Sequence, residues 1–174
     1  MSKGIGGLQA FCSKGRLNVV IEVPSGSRAK YKYLPKRGVF ELHKALGMGF
    51  SFPFPFGFIP NTTGEDGDPI DVLVITNLDP PLGAVLPSRL IGAINIEQQD
   101  PGKEAIRNDR LLVVPDIEHE DRPVSDIAEL DDEQLKDIET FFVASGQRDG
   151  KTLRIVGRSG PADAARVLKA ALDH

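Results

Sequence analysis

The chain has 174 residues, of which 40% are hydrophobic and 26% charged, and its net charge is −4. These values are typical of an ordinary globular protein and exclude a disordered or fibrous chain. No apolar run approaches the roughly 18 residues of a membrane-spanning helix, and the acidic balance argues against a dedicated nucleic-acid-binding protein. Cys12 is the single cysteine. An internal disulfide is therefore impossible, which favours a reducing compartment such as the cytoplasm.

The charge is divided unevenly along the chain. Residues 1–44 carry nine basic and two acidic residues, a balance of +7, and residues 45–174 carry the other 12 basic and 23 acidic residues, a balance of −11. Simple attraction between two parts of the fold would explain this division. A site in which acids hold a metal and bases hold an anion would explain it equally well.

The first two thirds of the chain predict β-structure. Residues 17–23 are rich in β-branched side chains and end at Pro24, which predicts a first strand. Alternating apolar and basic residues predict a second strand over 29–34, and a turn leads to its hairpin partner over 39–42. Further strands are predicted over 70–76, 85–96 and 110–114, because loops rich in proline and glycine separate these apolar runs.

Residues 50–60 contain five of the nine phenylalanines, at alternate positions. Pro53 and Pro55 lie between them and have no N–H to donate, so we do not predict a central strand here. We predict instead an extended wall that turns one aromatic face into the core. The alternative, a ligand for a proline-recognising domain, would leave five phenylalanines exposed and is less favoured.

Helix signals appear only in the last third of the chain. Acidic residues at 131–133 suit the first turn of a helix, apolar residues follow at near-helical spacing, and Gly146 is predicted to end it. A second helix is predicted to begin at Pro161, after a strand over 152–156. Short strands followed by helices, without repeat or linker, predict one mainly β domain over 1–174, a small barrel with helices packed outside.

Three aspartates, Asp66, Asp68 and Asp71, lie at spacings of two and three residues around the start of the apolar strand predicted at 70–76. In an extended chain Asp66 and Asp68 point the same way, and Asp71 can return to the same rim after a turn. Carboxylates this close repel one another and attract cations, and such hard oxygen ligands suit Mg²⁺. The alternative is a solvated acidic turn. A calcium loop of the EF-hand type is excluded, because it would need a glutamate at Asn77 and flanking helices.

Two glycine-containing segments resemble nucleotide-binding motifs only superficially. Residues 146–152 are one residue too short between their glycines for a P-loop and follow a helix instead of a strand, so we interpret them as a helix stop and a turn. Residues 4–7 lack the preceding strand of a dinucleotide-binding motif. The histidines lack the spacing of a metal site; they are His43, His119 and His174.

The segment 66–72, with the sequence DGDPIDV, resembles the D-x-D-P-x-D-x signature of the soluble family I inorganic pyrophosphatases. The resemblance covers about residues 17–158 and includes the first strand, Lys30-Tyr31 and the helix ending in Phe141-Phe142. It implies an OB-like five-stranded closed barrel with two flanking C-terminal helices. It also implies Mg²⁺-dependent hydrolysis of inorganic pyrophosphate to two phosphates, a cytoplasmic location and, in bacteria, commonly a hexamer.

The same resemblance implies roles for individual residues. Asp66 and Asp71 would bind the principal Mg²⁺ ions, and Glu22 would help to hold a further metal. Asp68 would be the general base that activates the attacking water. The bases that would bind phosphate oxygens are Lys30, Lys44 and Arg110.

Several metal-ligand positions depart from the family pattern. Where the family has a glutamate two residues after its first lysine, this chain has Lys32. In a later acidic element, Gln98 and Asn108 align with two family aspartates, unless Glu97 or Asp100 takes the place of the first. The neighbouring Asp109 is therefore taken as the candidate metal ligand, although it is expected on the other face of its strand.

Several phosphate-binding positions depart as well. The family's tyrosine is Phe56, which cannot donate a hydrogen bond. Its arginine falls at Lys44 or His43, and its Tyr-Lys pair, which follows Phe-Phe, is Ser145-Gly146. Lys32, His43 and Arg107 are candidates to replace the lost contacts.

Two functional hypotheses follow. The first is hydrolysis of pyrophosphate, with activity reduced by the altered contacts. The second is a non-catalytic or substrate-shifted relative that binds a metal and a phosphorylated ligand. A single-stranded nucleic-acid role is disfavoured, because the chain is acidic and five of its eleven aromatic residues are phenylalanines of the segment 50–60.

Overall fold

A computed structural model describes residues 4–117 and 123–172, so His119 and His174 lie outside the described residues. None of the helices in these ranges is long and apolar enough to span a membrane. The strands are β1 (Leu17–Val23), β2 (Ala29–Leu34), β3 (Val39–Ala45), β4 (Phe56–Phe58), β5 (Asp71–Val74), β6 (Val85–Gln99), β7 (Ile106–Arg107), β8 (Arg110–Pro115) and β9 (Thr152–Ser159), and the α-helices are α1 (Asp132–Arg148) and α2 (Pro161–Leu172).

Five strands close into a barrel. Around the ring, β1 pairs with β4, β4 with β5, β5 with β8, β8 with β6, and β6 with β1 again. Only the β5–β8 pair is parallel. Such closure removes the free edges that an open sheet would expose. The predicted mainly β architecture, an OB-like five-stranded closed barrel with two C-terminal helices, is confirmed.

Alternate residues of the barrel strands enter two different hydrophobic clusters. Leu112 of β8 packs in a cluster with Leu135 and Ile138 of α1. Its neighbour Leu111 packs in the other cluster with Leu168 of α2. Because both faces of these strands are buried, they appear in the sequence as continuous apolar runs.

The strands β2 and β3 form a separate two-stranded sheet outside the ring. Every residue of β2 is half-buried, whereas every residue of β1 and β8 is buried. The two strands were predicted as a hairpin, and β3 continues three residues beyond its predicted end. This hairpin forms one wall of the cavity described below.

The aromatic segment divides into two parts. Phe50 and Phe52 pack against the cluster that contains α1, as predicted. Phe56–Phe58, however, form β4 between β1 and β5, so the prediction of no central strand is wrong there. These residues follow the prolines and keep their N–H donors. Gly57 also lets β1 approach closely, since a Cβ at this position would lie 2.0 Å from the carbonyl oxygen of Val20.

The helix α1 continues through Gly146 to Arg148, so the predicted helix end at Gly146 is wrong. A Cβ at Gly146 would lie 2.6 Å from the side chain of Leu153. The glycine therefore serves close packing between α1 and β9. The chain reverses instead at Gly150, whose φ of 74° suits a residue without a side chain.

Candidate active site

A cavity of about 690 Å³ lies between the β2–β3 hairpin, the barrel and the end of α1. We call it the charged cavity, because acidic and basic side chains from distant parts of the sequence line it. Seven of the eight predicted site residues are among them. These seven are Glu22, Lys30, Lys44, Asp66, Asp68, Asp71 and Arg110.

The loop before β5 positions the first two aspartates by local turn chemistry. The Asp68 N–H donates to Asp66 Oδ1 at 3.0 Å, and Gly67 between them has a φ of 82°. Side chains that accept from a backbone N–H two residues later are typical of aspartate in turns. The alternative of an acidic turn thus describes the local geometry correctly, and the same turn faces the charged cavity.

Asp71 and Arg110 meet because β5 and β8 run parallel from neighbouring positions. Val72 lies opposite Leu111, so the residues before them stand side by side. Arg110 Nη1 lies 2.8 Å from Asp71 Oδ2, and only 8% of the arginine side chain is exposed. The guanidinium also lies 5.5 Å from the centre of the Phe142 ring. These contacts fix the arginine in one position.

Asn108 belongs to the charged cavity, whereas Asp109 does not line it. Asn108 Nδ2 donates to Asp66 Oδ2 at 3.1 Å and to Gln98 Oε1 at 2.9 Å. The carboxylate of Asp109 turns the other way, where it accepts from the Ile96 N–H at 2.9 Å and pairs with Arg107. Successive residues of an extended chain point to opposite faces. The placement of Asp109 therefore does not support the metal-ligand role predicted for it.

Glu22 connects the barrel to the hairpin. Its buried carboxylate accepts a hydrogen bond from the Tyr33 N–H at 2.8 Å. Burial raises the pKa of Glu22 to about 7, although the Tyr33 hydrogen bond and the charge of Lys30 oppose the shift. A cation near Glu22 would therefore stabilise its ionised carboxylate.

Lys30 of β2 lines the charged cavity beside Phe56. Its Nζ lies 5.0 Å from the centre of the Phe56 ring, a cation–π contact. Burial lowers the pKa of Lys30, and the nearby carboxylate of Asp71 opposes that shift. Phe56 thus holds the lysine through its ring, although it cannot offer a substrate the hydrogen bond of a tyrosine.

Lys32 lies against Asp68. Its Nζ is 2.8 Å from Asp68 Oδ1 and 3.0 Å from Oδ2, and this contact raises the pKa of Lys32. Lys44 pairs with Asp149, which follows α1. The pKa of His43 is lowered by burial and by the surrounding lysines.

Comparison with known proteins identifies the family. The family of inorganic pyrophosphatases matches residues 19–174. The chain belongs to this family. An inorganic pyrophosphatase from Bacillus sp. (strain PS3) is 36% identical over 148 residues, which cover 85% of this chain and 87% of that protein. One from Sulfolobus acidocaldarius is 32% identical over 159 residues, covering 90% and 89%.

Solved structures of inorganic pyrophosphatases share the fold. The protein from Thermus thermophilus superposes with a TM-score of 0.86 at 26% identity, over 98% of this chain and 97% of that chain. The protein from Helicobacter pylori gives a TM-score of 0.84 at 30% identity, over 96% and 97%. The resemblance based on the Asp66–Asp71 signature is therefore confirmed at the level of the pyrophosphatase family.

The cavity of this pyrophosphatase-family member contains charged residues that sequence reasoning did not assign. Lys151 and Asp149 line it, beside Ser145 and Gly146. Lys151 Nζ lies 3.5 Å from Asp100 Oδ1. The sequence signal was a basic residue after the turn that follows α1, in the segment that superficially resembles a P-loop. Whether Lys151 reaches the charged cavity depends on how the chain is oriented after this turn, which the sequence does not specify.

The donor set suits a hard divalent cation. The pKa of Asp66 is raised by burial and then by the charges of Asp71 and Asp68, so a neighbouring positive charge would stabilise the ionised Asp66 carboxylate. Within the described ranges no three acidic, histidine or cysteine side chains already form a metal-binding group. Lys32 and Arg110 instead lie on Asp68 and Asp71. Oxygen ligands on one rim, with room for water, fit Mg²⁺.

Proposed function

We propose that this protein hydrolyses inorganic pyrophosphate to two phosphates, with Mg²⁺ as its cofactor. The observation that carries the proposal is the meeting of Asp66, Asp68 and Asp71 with several bases in one cavity. A site for this reaction needs acids for a cation and bases for a polyanion, and the charged cavity has both. Membership of the inorganic pyrophosphatase family supports the same reaction.

The acidic residues have separate roles in this proposal. Asp66 and Asp71, assisted by Glu22, would hold Mg²⁺. When bound, Mg²⁺ lowers the pKa of water and neutralises charge on the substrate. Asp68 would accept the proton of the attacking water. Its side chain is 53% exposed, so water has direct access to it.

The basic residues bind and orient the substrate. Lys30, Lys44 and Arg110 donate to phosphate oxygens and stabilise the charge that develops during phosphoryl transfer. At family donor positions, Phe56 and Gly146 have no side-chain donor, and Ser145 has only a short hydroxyl. Because each charge-assisted hydrogen bond contributes about 1.5–3 kcal/mol, we propose a lower rate than the complete ligand set would give.

The proposal extends to the cellular form of the protein. We propose one domain that assembles as a homo-oligomer, a hexamer by family resemblance, and acts in the cytoplasm. The single cysteine is compatible with a reducing compartment. The proposed partner is pyrophosphate, with no role for nucleic acid or a membrane.

A phosphate-release assay tests the reaction. Purified protein with pyrophosphate and Mg²⁺ should release phosphate, and Asp68→Asn should lower the rate by about 10²- to 10⁴-fold, because the variant cannot accept a proton. Asp79→Asn, which changes an exposed aspartate outside the charged cavity, is the matched control and should keep the wild-type rate. Equally slow release by wild type and Asp68→Asn would show that the reaction is not enzymatic.

One observation favours a second candidate, a relative that binds phosphorylated ligands without turnover. Both oxygens of the proposed base Asp68 already accept hydrogen bonds from Lys32. If that contact persists with substrate bound, the base is blocked. Calorimetric binding of pyrophosphate in the presence of Mg²⁺, together with the absence of phosphate release, would select this function.

A further inference from the structure

Lys32 crosses the charged cavity from the hairpin to the loop that carries the proposed base. Its ammonium lies within hydrogen-bond distance of both carboxylate oxygens of Asp68, at 2.8 and 3.0 Å. Lys32 lines the same cavity as the proposed substrate-binding residues. A pyrophosphate bound there would therefore lie within reach of this lysine.

The three ion pairs between residues lining the cavity differ in exposure. In the Arg110–Asp71 pair the side chains are 8% and 20% exposed, and in the Lys44–Asp149 pair they are 29% and 32% exposed. In the Lys32–Asp68 pair the values are 42% and 53%. Exposed ion pairs contribute little net stability, because water solvates the separated charges well. Of these three pairs, Lys32–Asp68 is the easiest to separate.

The same contact opposes the proposed work of Asp68. Both carboxylate oxygens of Asp68 accept hydrogen bonds from the Lys32 ammonium, so an attacking water has to compete with the lysine for them. Pyrophosphate carries several negative charges, whereas Asp68 carries one. The ammonium therefore has a stronger partner as soon as substrate enters the cavity.

We propose that Lys32 is a substrate-binding residue that exchanges Asp68 for pyrophosphate. In the free protein its ammonium pairs with the Asp68 carboxylate. In the complex it donates to a non-bridging phosphate oxygen, and Asp68 becomes free to accept the proton of the attacking water. Substrate binding and release of the base are thus coupled through one side chain. The identity of the ligand, pyrophosphate, rests on the proposed function.

Binding of imidodiphosphate, a non-hydrolysable analogue, tests the exchange without turnover. By calorimetry at a fixed Mg²⁺ concentration, Lys32→Gln should bind the analogue about tenfold or more weakly than wild type, since a charge-assisted contact is lost. Lys32→Arg should retain most of the affinity. Lys36→Gln, in the exposed turn of the same hairpin and outside the cavity, should bind as wild type does.

A structure of the imidodiphosphate complex gives the second measurement. Lys32 Nζ should lie within about 3.2 Å of a phosphate oxygen and beyond hydrogen-bond distance of Asp68. Unchanged affinity in Lys32→Gln, or a Lys32 that stays on Asp68 in the complex, would overturn the exchange. Lys32-dependent binding without phosphate release would leave the exchange standing while the proposed hydrolysis fails. If wild type hydrolyses pyrophosphate but Lys32→Gln binds the analogue as tightly as wild type, the proposed hydrolysis stands and the exchange fails.

Discussion

The two walls of the charged cavity hold their charges in different ways. On the barrel wall, formed by β5, β8 and the loop before β5, Arg110 is buried and bound to Asp71. The backbone carbonyl of Asn108 accepts from the same guanidinium at 3.0 Å. On the hairpin wall, formed by β2 and β3, Lys32 and Lys44 are partly exposed and reach across the cavity to their acids. The Arg110 charge on the barrel is therefore fixed, whereas Lys32 and Lys44 on the hairpin can change partners.

The difference follows from the surroundings of the strands. Every residue of β8 is buried between two strands of a closed ring, so packing on both faces fixes each side chain. The hairpin is a sheet of only two strands, which has little stability of its own. The bond from the Tyr33 N–H to Glu22 is one of its attachments to the barrel. A rigid wall with most of the acids and a more adjustable wall with three lysines suit a site that binds a cation and a polyanion.

Removing one base from each wall should give unequal losses of stability. Arg110→Met leaves Asp71 without its buried partner and should lower the free energy of unfolding by about 3 kcal/mol or more. Lys44→Met removes a partly exposed pair and should cost roughly 0–1 kcal/mol. Urea unfolding of the metal-free proteins measures both. Equal losses would contradict the distinction between a fixed and an adjustable wall.

Glu22, which joins the two walls, should give the free energy of unfolding a dependence on pH. Its folded-state pKa is about 7, above the ordinary value of 4.5. Between pH 4.5 and pH 7, Glu22 keeps its proton in the folded state but loses it in the unfolded state. Its contribution to stability is therefore favourable at low pH and is lost as pH rises. The shift corresponds to about 3 kcal/mol.

Glu22→Gln removes that dependence while keeping an acceptor for the Tyr33 N–H. In EDTA, the stability of the variant relative to wild type should therefore increase by about 3 kcal/mol from pH 4.5 to pH 8. Urea unfolding at several pH values is the measurement. A constant difference between variant and wild type across this range would show that burial does not perturb Glu22.

The smallest effect is expected on the outer side of the hairpin. Arg37 and Glu41 form an ion pair whose side chains are 65% and 57% exposed. Glu41→Gln should change the free energy of unfolding by less than about 0.5 kcal/mol, because water screens the pair. The change should also be independent of pH above 6, which makes the variant a control for Glu22→Gln. A loss above 1 kcal/mol would mean that the hairpin is held more firmly than its exposure indicates.

The sequence predicted the elements whose signals are local. The strand over 17–23 and the helix start at Pro161 agree with the structure, because β-branched runs and an N-terminal proline act within a few residues. The helix end at Gly146 was wrong, since a glycine can serve a long-range contact, here with Leu153. Phe56–Phe58 was likewise missed as a strand, because its pairing depends on β1 and β5.

The candidate site divides in the same way. The amino-acid sequence alone determined the turn that holds Asp66 and Asp68, since that geometry needs only neighbouring backbone groups. Tertiary structure decided which distant partners these acids receive. Closure of the barrel brings Asn108 instead of Asp109 to Asp66, and the hairpin brings Lys32 to Asp68. Such contacts join residues about 40 positions apart, so they depend on strand register and packing that no short segment specifies.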